Sequence, residues 1–405
     1  MSAFWKKTVI VLSVLIFAYV AVGYVKGKTS DRSYASLAVY SQVLQYIQDD
    51  YVDDPDIHQV TSGALHGLLD SLDPQSAYLG PREYADYKSK IDDKTRGQVG
   101  AALSKRYGYV VVVSVLPDSP AQKAGLMEGD LLESISGVST TEMSIGQAEV
   151  LLTGDPGQTV QCEVIRRGKQ DPFDVTMTYA RLQPPRLLQE QMQDGIAYLR
   201  VAAFDPDVTS QIRDKLHQFD RAGAKKLILD LRGSASGAES EGINTAQLFL
   251  SSGTIATLQG QTIATQSFSA DPSKVVWTKP MTVLISSGTA GPAEILAAAI
   301  SDNRRGDTVG ETTFGTASQQ QVMPLDDGSA LILTVANYFT PGGKSIPKEG
   351  VSPTVEVNPE AISDVAQLNQ DQLAPPPPGQ LPSANDPVVK KAIEILESGS
   401  AQKAA

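Results

Sequence analysis

The sequence contains a single cysteine, Cys162, among its 405 residues, so an intrachain disulfide is impossible. Histidine is almost as rare, and the spacings of His58, His66 and His217 fit no zinc-ligand pattern. We therefore predict no metal site and no other cofactor. The lack of disulfides does not exclude a location outside the cytoplasm, because a chain of this length buries enough core without them.

Basic residues are also in deficit. The chain has 34 Lys and Arg against 46 Asp and Glu, which gives a formal net charge of −12. No basic patch stands out along the chain, so a nucleic-acid partner is excluded. The hydrophobic fraction of 41% and the charged fraction of 20% are ordinary values for globular proteins. Together with the length, they predict two or three domains with a core each.

The one long apolar run lies at the N-terminus and predicts the compartment. Lys6 and Lys7 precede an apolar stretch from Thr8 to Val25, which as a helix spans roughly 27 Å. The basic flank favours an N-terminus inside the cell and the rest of the chain outside. We expect residues 1–28 to be a membrane anchor. A cleaved signal peptide is the alternative, because Ala21-Val22-Gly23 is a possible small-residue cleavage site.

Three regions of different character follow the anchor. Residues 33–94 carry apolar positions at spacings of three and four, which predicts helices. Residues 95–182 contain short β-branched runs and two short helical stretches, which is typical of a compact β module. Residues 187–358 alternate strand and helix patterns, which indicates a largely parallel sheet with helices on both faces.

The end of the chain changes composition once more. Residues 359–385 are rich in Gln and Pro and include four consecutive prolines at 375–378, which predicts a linker. A last helix is predicted at 386–397, with Asp386 as its cap and Pro387 at its first position. The expected fold is therefore a multidomain α/β (α+β) protein without internal repeats.

The order of these regions and several long motifs resemble the C-terminal processing (tail-specific) serine peptidases. The resemblance runs from about residue 35 to 396. It implies an N-terminal helical region, a PDZ domain and an α/β peptidase core. The motifs that carry it are Tyr51-Val52-Asp53, the run 63–79 (GALHGLLDSLDPQSAYL), 119–126 (SPAQKAGL) with Gly129-Asp130, 229–232 (LDLR), 309–315 (VGETTFG) and 341–344 (PGGK).

The resemblance implies capture of a protein's free C-terminus in a PDZ groove. Strand addition and backbone N–H groups that bind the terminal carboxylate are the physical basis of such capture. The family's capturing loop is Gly-apolar-Gly, whereas here one of its glycines is replaced by Gln98. We still predict peptide binding along one segment. That segment comprises Val99, Gly100, Ala101, Ala102 and Leu103.

The catalytic pair that the resemblance implies is missing. Ser/Lys catalysis needs a hydroxyl nucleophile and a nearby lysine whose pKa is lowered by burial. The family's serine position falls on Gly291 and its lysine position on Thr316. Their separation, 316 − 291 = 25, matches the family motif, and the glutamine expected four residues after the lysine is present as Gln320.

The oxyanion site is altered as well. The residue after the nucleophile normally supplies an N–H group to the oxyanion. Here that residue is Pro292, which has no N–H. In the loop 233–237 (GSASG), which should complete the site, only Gly237 matches the family pattern.

These departures lead to three hypotheses for an exported protein, located on the periplasmic or cell-surface side of a bacterial membrane. The first is an inactive homologue that binds protein C-termini or partner proteins as an adaptor or regulator. The second is an active serine peptidase that uses displaced residues, with the run Ser234-Ala235-Ser236 as the most tempting source of a nucleophile. The third is a structural scaffold. The resemblance also implies a possible homodimer through the terminal helices.

Overall fold

A computed structural model of the chain describes residues 36–91, 93, 95–141, 143–182, 187, 189–357 and 386–398. The predicted anchor and the predicted linker lie outside these residues. In the part that is described, no helix is both long and apolar enough to cross a membrane. The chain divides into two units at Gly67. The first unit contains helix α1 (36–50) and most of helix α2 (Ile57–Asp70), in agreement with the helical pattern of the sequence.

The segment after α2 joins the second unit through a turn that Asp73 organises. Its carboxylate accepts hydrogen bonds from the backbone N–H groups of Gln75 and Ser76 and from the hydroxyl of Thr334. Strand β1 (Ala77–Leu79) follows and pairs with a strand some 250 residues later in the chain, β18 (Ala330–Phe339). Helix α3 (Pro81–Ile91) begins at its proline.

Residues 97–178 form the compact β module that the sequence predicts. Its main sheet has the order β3-β4-β5-β8-β9, and β6 pairs with β5. Strand β3 is therefore an edge strand. The strands are β2 (Gly97–Gln98), β3 (Ala101–Arg106), β4 (Tyr109–Val115), β5 (Leu131–Ile135), β6 (Val138–Ser139), β7 (Thr153–Gly154), β8 (Thr159–Ile165) and β9 (Phe173–Thr178).

Two helices complete this module, and both begin at serine caps. Ser119 caps α4 (Pro120–Lys123), and Ser144 with Gln147 forms a reciprocal capping box at α5 (Ile145–Leu151). Cys162 lies fully buried in the module's core. Burial raises the pKa of its thiol to about 12, so Cys162 is no nucleophile.

The third region is built on a six-stranded sheet with the order β10-β11-β12-β15-β16-β19. All its neighbours are parallel except β10 and β11. The largely parallel sheet predicted from the sequence is thus confirmed. The strands are β10 (Gln189–Gln193), β11 (Ile196–Arg200), β12 (Lys226–Asp230), β15 (Met281–Ile285), β16 (Asp307–Gly310) and β19 (Val355–Glu356).

Helices cover both faces of this sheet, because alternate strand residues point to opposite sides. One face, with Leu199 and Leu229, packs with residues of three helices in the largest core. The other face, with Tyr198 and Ile228, packs against the last helix. The helices are α6 (Val208–Arg221), α7 (Glu239–Ala246) and α8 (Pro292–Asp302) on the first face and α10 (Pro387–Glu397) on the second.

A second sheet, which the sequence did not predict, packs beside the first. It is antiparallel, with the order β1-β18-β13-β14 and with β17 paired to β18. Its strands other than β1 and β18 are β13 (Thr254–Gln259), β14 (Gln266–Ser269) and β17 (Ser318–Pro324). A short helix, α9 (Ile346–Glu349), follows β18.

The last helix is docked through a buried ion-pair network. Asp386 caps α10 by accepting hydrogen bonds from the N–H groups of Val388 and Val389, as its sequence predicts. Its other carboxylate oxygen accepts a hydrogen bond from Arg232 at 2.8 Å, and Arg232 also pairs with Asp230. Burial without partners would be costly for these charges, so the network ties α10 to the end of β12.

Candidate functional site

The turn between β15 and α8 places Gly291 at the head of α8. Gly291 is the N-cap residue, with φ 56° and ψ −120°, and Pro292 occupies the first helical position. This backbone conformation is strained for any residue with a side chain. A Cβ atom at Gly291 would meet no atom within 4 Å, so the position opens onto free space.

The structure brings Gly291 and Thr316 together, as the sequence motif implies. The N–H of Gly291 donates to Thr316 Oγ1 at 3.1 Å and to Glu294 Oε2 at 2.9 Å. Thr316 is half-buried. The hydroxyl of Thr316 therefore takes part in the capping of α8, where a catalytic pair would need a lysine amine facing a serine hydroxyl.

A fully buried carboxyl group, that of Glu294, fixes the relative position of these two segments. Besides Gly291, it accepts hydrogen bonds from the N–H groups of Gly315 and Thr316 and from the hydroxyl of Thr313. Burial raises the pKa of Glu294, and the hydrogen bonds from Thr313, Thr316, Gly315 and Gly291 oppose that rise. This role of Glu294 was not predicted from the sequence.

The loop after β12 forms another wall. Gly237 has φ 114°, and a Cβ there would lie 2.2 Å from the carbonyl oxygen of Phe204, so only glycine fits. The hydroxyl oxygens of Ser234 and Ser236 are buried and have no hydrogen-bond partner within the described part of the chain. Thr289 is already engaged, because its hydroxyl donates to the carbonyl of Leu231 at 2.9 Å.

These walls enclose a cleft of about 380 Å³ between the β module and the third region. Of the residues predicted from the sequence, the cleft brings together Gly291, Pro292, Thr316, Gln320, Gly237, Ala102 and Leu103. Its other lining residues are Gln75, Tyr87, Val113, Ile145, Gly146, Glu149, Ala235, Glu239, Ala290, Ser318 and Ile332.

The predicted capturing loop lies at the beginning of β3, and Val99, Gly100 and Ala101 do not line the cleft itself. The carbonyl groups of Val99 and Gly100 accept hydrogen bonds from Ala121 and Leu116. Their N–H groups donate to no acceptor among the described residues. Gly100 has φ +83°, and a Cβ there would lie 2.4 Å from the Cβ of Ser119. Unpaired backbone N–H groups of this kind are the donors that bind a terminal carboxylate in other proteins.

The β module contacts both segments that carry the catalytic positions. Glu128 accepts a hydrogen bond at 2.8 Å from the hydroxyl of Ser287, in the turn before Gly291. Arg106 stacks over the ring of Phe314, two residues before Thr316, at 4.7 Å from the ring centre. Desolvation raises the pKa of Glu128 to about 7, against the effect of the bond from Ser287.

Glu149 and Glu239 also line the cleft, although neither was predicted from the sequence. Desolvation raises the pKa of Glu239. The lining contains no Lys, Arg or His among the described residues. The sequence places Glu149 on the same helix face as Ile145, four residues earlier, but it does not show which part of the chain that face contacts. No group of His, Cys, Asp and Glu that could hold a metal ion occurs in the described ranges.

The comparisons with known families match two segments. Residues 195–357 match the model of peptidase family S41, and residues 97–177 match a PDZ domain model. These segments correspond to the two regions that form the walls of the cleft.

Several relatives carry the name of a protease. The carboxy-terminal processing protease CtpA of Bacillus subtilis is 29% identical over 352 residues, which cover 86% of this chain and 74% of that protein. The carboxyl-terminal-processing protease of Synechocystis sp. is 30% identical over 82% of this chain and 79% of its own length. The carboxyl-terminal-processing protease of Picosynechococcus sp. is 32% identical over 74% of this chain and 73% of that protein.

A solved structure supports the same fold. The photosystem II D1 C-terminal processing protease superposes with a TM-score of 0.67 at 25% identity, over 80% of this chain and 93% of that one. The multidomain α/β fold expected from the sequence is confirmed.

Proposed function

We propose that this chain, which belongs to the C-terminal processing peptidases of family S41, binds the C-terminal ends of proteins without cutting them through the family's catalytic pair. Its role would then be that of an adaptor or regulator. One observation carries the proposal: the residue at the head of α8 that faces the cleft, Gly291, has no side chain. Without a nucleophile in that place, covalent catalysis of the Ser/Lys type has no first step.

The oxyanion N–H group and the lysine base that Ser/Lys catalysis requires are missing from their family positions as well. Pro292 offers no N–H to an oxyanion. Thr316 carries a hydroxyl that already accepts a hydrogen bond from Gly291, and no lysine lines the cleft among the described residues. The backbone around these positions nevertheless keeps a defined geometry, because Glu294 accepts four hydrogen bonds there.

The features needed for peptide binding are present. Strand β3 is an edge strand, so its outer backbone groups are available to an added peptide strand. Ala102 and Leu103 of β3 and Ile145 of α5 line the cleft on this side. The free N–H groups of Val99 and Gly100 lie at the start of β3. A peptide that pairs with β3 and ends at this loop would place its carboxylate on those groups.

A second candidate, an active serine peptidase, is favoured directly by the comparisons, because the relatives named above are proteases. The chain would then have to use displaced residues. The hydroxyls of Ser234 and Ser236 are both unbonded within the described residues, and Ser236 is the better source of a nucleophile because Ser234 is fully buried and Ser236 is half-buried. Ser318 is less suitable, because it donates to the carbonyl of Thr316 and accepts from Gln320.

The test combines binding and turnover on the full-length chain. Labelled peptides with a free C-terminal carboxylate should bind, and the same peptides with an amidated C-terminus should not. An unstructured polypeptide should remain uncut. Turnover that survives repurification and disappears in Ser236→Ala would replace the first candidate by the second. Absence of binding to every peptide would favour the third hypothesis, a structural scaffold.

A matched pair of glycine variants tests the capturing loop. Gly100 and Gly108 both have φ +83°, but a Cβ at Gly108 would meet no atom within 4 Å, whereas one at Gly100 would collide with Ser119. We expect Gly100→Ala to weaken peptide binding at least about tenfold and Gly108→Ala to leave it within about twofold. Equal binding by the two variants would move the carboxylate site away from this loop.

The location of the protein also remains a proposal. We propose that residues 1–28 anchor it to the membrane, with the PDZ and S41 domains outside the cytoplasm. The basic residues Lys6 and Lys7 and the apolar run Thr8 to Val25 support this proposal. Protease accessibility of the S41 domain in intact spheroplasts tests it directly.

A further inference from the structure

The charged side chains that line the cleft are both carboxylates. Glu149 comes from α5 of the PDZ domain and Glu239 from the first turn of α7 in the S41 domain. Within the described residues, no lining side chain is a Lys, Arg or His. A peptide in the cleft therefore meets a carboxyl group from each of the two domains.

The helix dipole accounts for a carboxylate at Glu239 but not for one at Glu149. A carboxylate in the first turn of a helix is favoured by the helix dipole, which applies to Glu239. Glu149 lies near the C-terminal end of α5, where the same dipole disfavours negative charge. Its side chain is exposed and has no hydrogen bond or ion pair within the described part of the chain.

Glu149 lies on the face of α5 that a peptide bound in the cleft would contact. Ile145 and Glu149 are four residues apart on α5, so they share the face that lines the cleft. The edge strand β3 lies opposite, with Ala102 and Leu103 in the lining. A peptide strand added to β3 points alternate side chains away from the sheet plane, and those on one side face α5.

We propose that the cleft selects C-terminal peptides that carry a Lys or Arg side chain upstream of an apolar end, and that Glu149 is the specificity-determining residue. This inference rests on the proposed function. The cationic side chain forms the charge-assisted hydrogen bond that Glu149 lacks, and the apolar lining from Leu103, Val113 and Ile145 takes the apolar side chains. The net charge of −12 favours the approach of such peptides.

The experiment measures the affinity of the full-length chain for matched fluorescent peptides by anisotropy. The peptides end in two apolar residues with a free carboxylate and differ at one upstream position, which holds Lys, Gln or Glu and is moved along the peptide. At one position or more, we expect the Lys peptide to bind about tenfold more tightly than the Gln peptide, and the Glu peptide to bind more weakly than either.

Three variants test whether Glu149 causes the preference for the Lys peptide. Glu149→Gln should abolish the difference between the Lys and Gln peptides, and Glu149→Lys should reverse it in favour of the Glu peptide. Glu163→Gln, on strand β8 of the same domain and outside the cleft lining, should retain it. Equal affinities for all three peptides at every position, or a preference that persists in Glu149→Gln, would overturn the inference and leave the proposed function standing. If no peptide binds, the proposed function itself fails, and the inference fails with it.

Discussion

The pair of substitutions Gly291→Ser and Thr316→Lys returns the family's two catalytic side chains, yet we expect this double variant to show almost no cleavage by a Ser/Lys mechanism. The structure has room for the serine, since a Cβ at Gly291 meets no atom within 4 Å. The serine would have to adopt φ 56° and ψ −120°, which costs about 1–3 kcal/mol of stability. The introduced lysine would start beside it, because Thr316 Oγ1 lies 3.1 Å from the nitrogen of Gly291.

The missing oxyanion donor decides the outcome. Loss of one such donor lowers kcat by about 10²–10³-fold in serine peptidases. Pro292 has no N–H, and its place at the first position of α8 is one where an N–H has no partner inside the helix. Pro292→Ala therefore supplies a donor without disturbing the helix hydrogen bonds. We expect the triple variant to cleave at least about 100-fold faster than the double variant.

The assay follows cleavage of a fluorogenic unstructured polypeptide with a free C-terminus, together with labelling by a fluorophosphonate. The variant with Pro292→Ala and Thr316→Lys is the control: it has the donor and the base but lacks the hydroxyl, so it should neither cleave nor label. Thermal unfolding of each variant shows whether it is folded. Cleavage by the double variant at a rate within about threefold of the triple variant would refute the reasoning about the oxyanion donor.

Three further predictions concern the stability of the fold. Glu294→Gln should lower the free energy of unfolding in urea by about 2–4 kcal/mol, because the amide of the glutamine would face backbone N–H donors. Glu163→Gln, on strand β8, is the control. A loss of stability in Glu294→Gln as small as that in the control would contradict the prediction. Asp386→Ala should lower the free energy of unfolding by about 2–4 kcal/mol and expose α10 to limited proteolysis, while Asp386→Asn, which keeps the cap, should cost less. Equal losses in the two variants would show that the cap contributes little and that the pairing with Arg232 accounts for the loss. The pKa of Glu128 is raised from 4.5 to about 7, so between these pH values the folded protein keeps a proton that the unfolded chain releases. Glu128 therefore makes the free energy of unfolding fall as the pH rises from about 4.5 to 7. Glu128→Gln should flatten that slope, and an unchanged slope would show that Glu128 does not cause it.

The parts of the fold that follow from local pattern were predictable. The buried strands β11, β12 and β15 are short apolar runs with helical patterns between them, and that alternation specifies a parallel sheet. The antiparallel sheet was missed although β18 is a long, mostly apolar run, because its partners β17 and β1 gave no comparable signal. Strand β17 (Ser318–Pro324) is mostly exposed and polar, and β1 is three residues long. Only the pairing of β1 with β18, across about 250 residues, makes it a strand.

The candidate site was likewise predictable only where local sequence pattern specifies it. Gly291, Pro292 and Thr316 could be located from motif spacing alone, because the spacing reflects fixed lengths of strand, turn and helix. The partners of Glu294 could not be found in this way, since they come from a turn about 20 residues later in the chain. Glu149 could not be assigned to the cleft before the PDZ and S41 domains were placed side by side, because its significance depends on what faces it.

The backbone of the site and catalysis by a Ser/Lys pair have different requirements, and our proposal of recognition without cleavage rests on this difference. Glu294, Gly237 and the cap at Gly291 hold the walls of the cleft through backbone hydrogen bonds and close backbone contacts, none of which needs a nucleophile. Catalysis needs particular atoms at particular places, and the hydroxyl, the amine and one N–H are all missing from theirs. Strand addition to β3 needs only backbone groups and an open edge, which are present. A carboxylate such as Glu149, unpaired within the described residues and turned into the cleft, adds selectivity to that binding and has no part in the family's Ser/Lys chemistry.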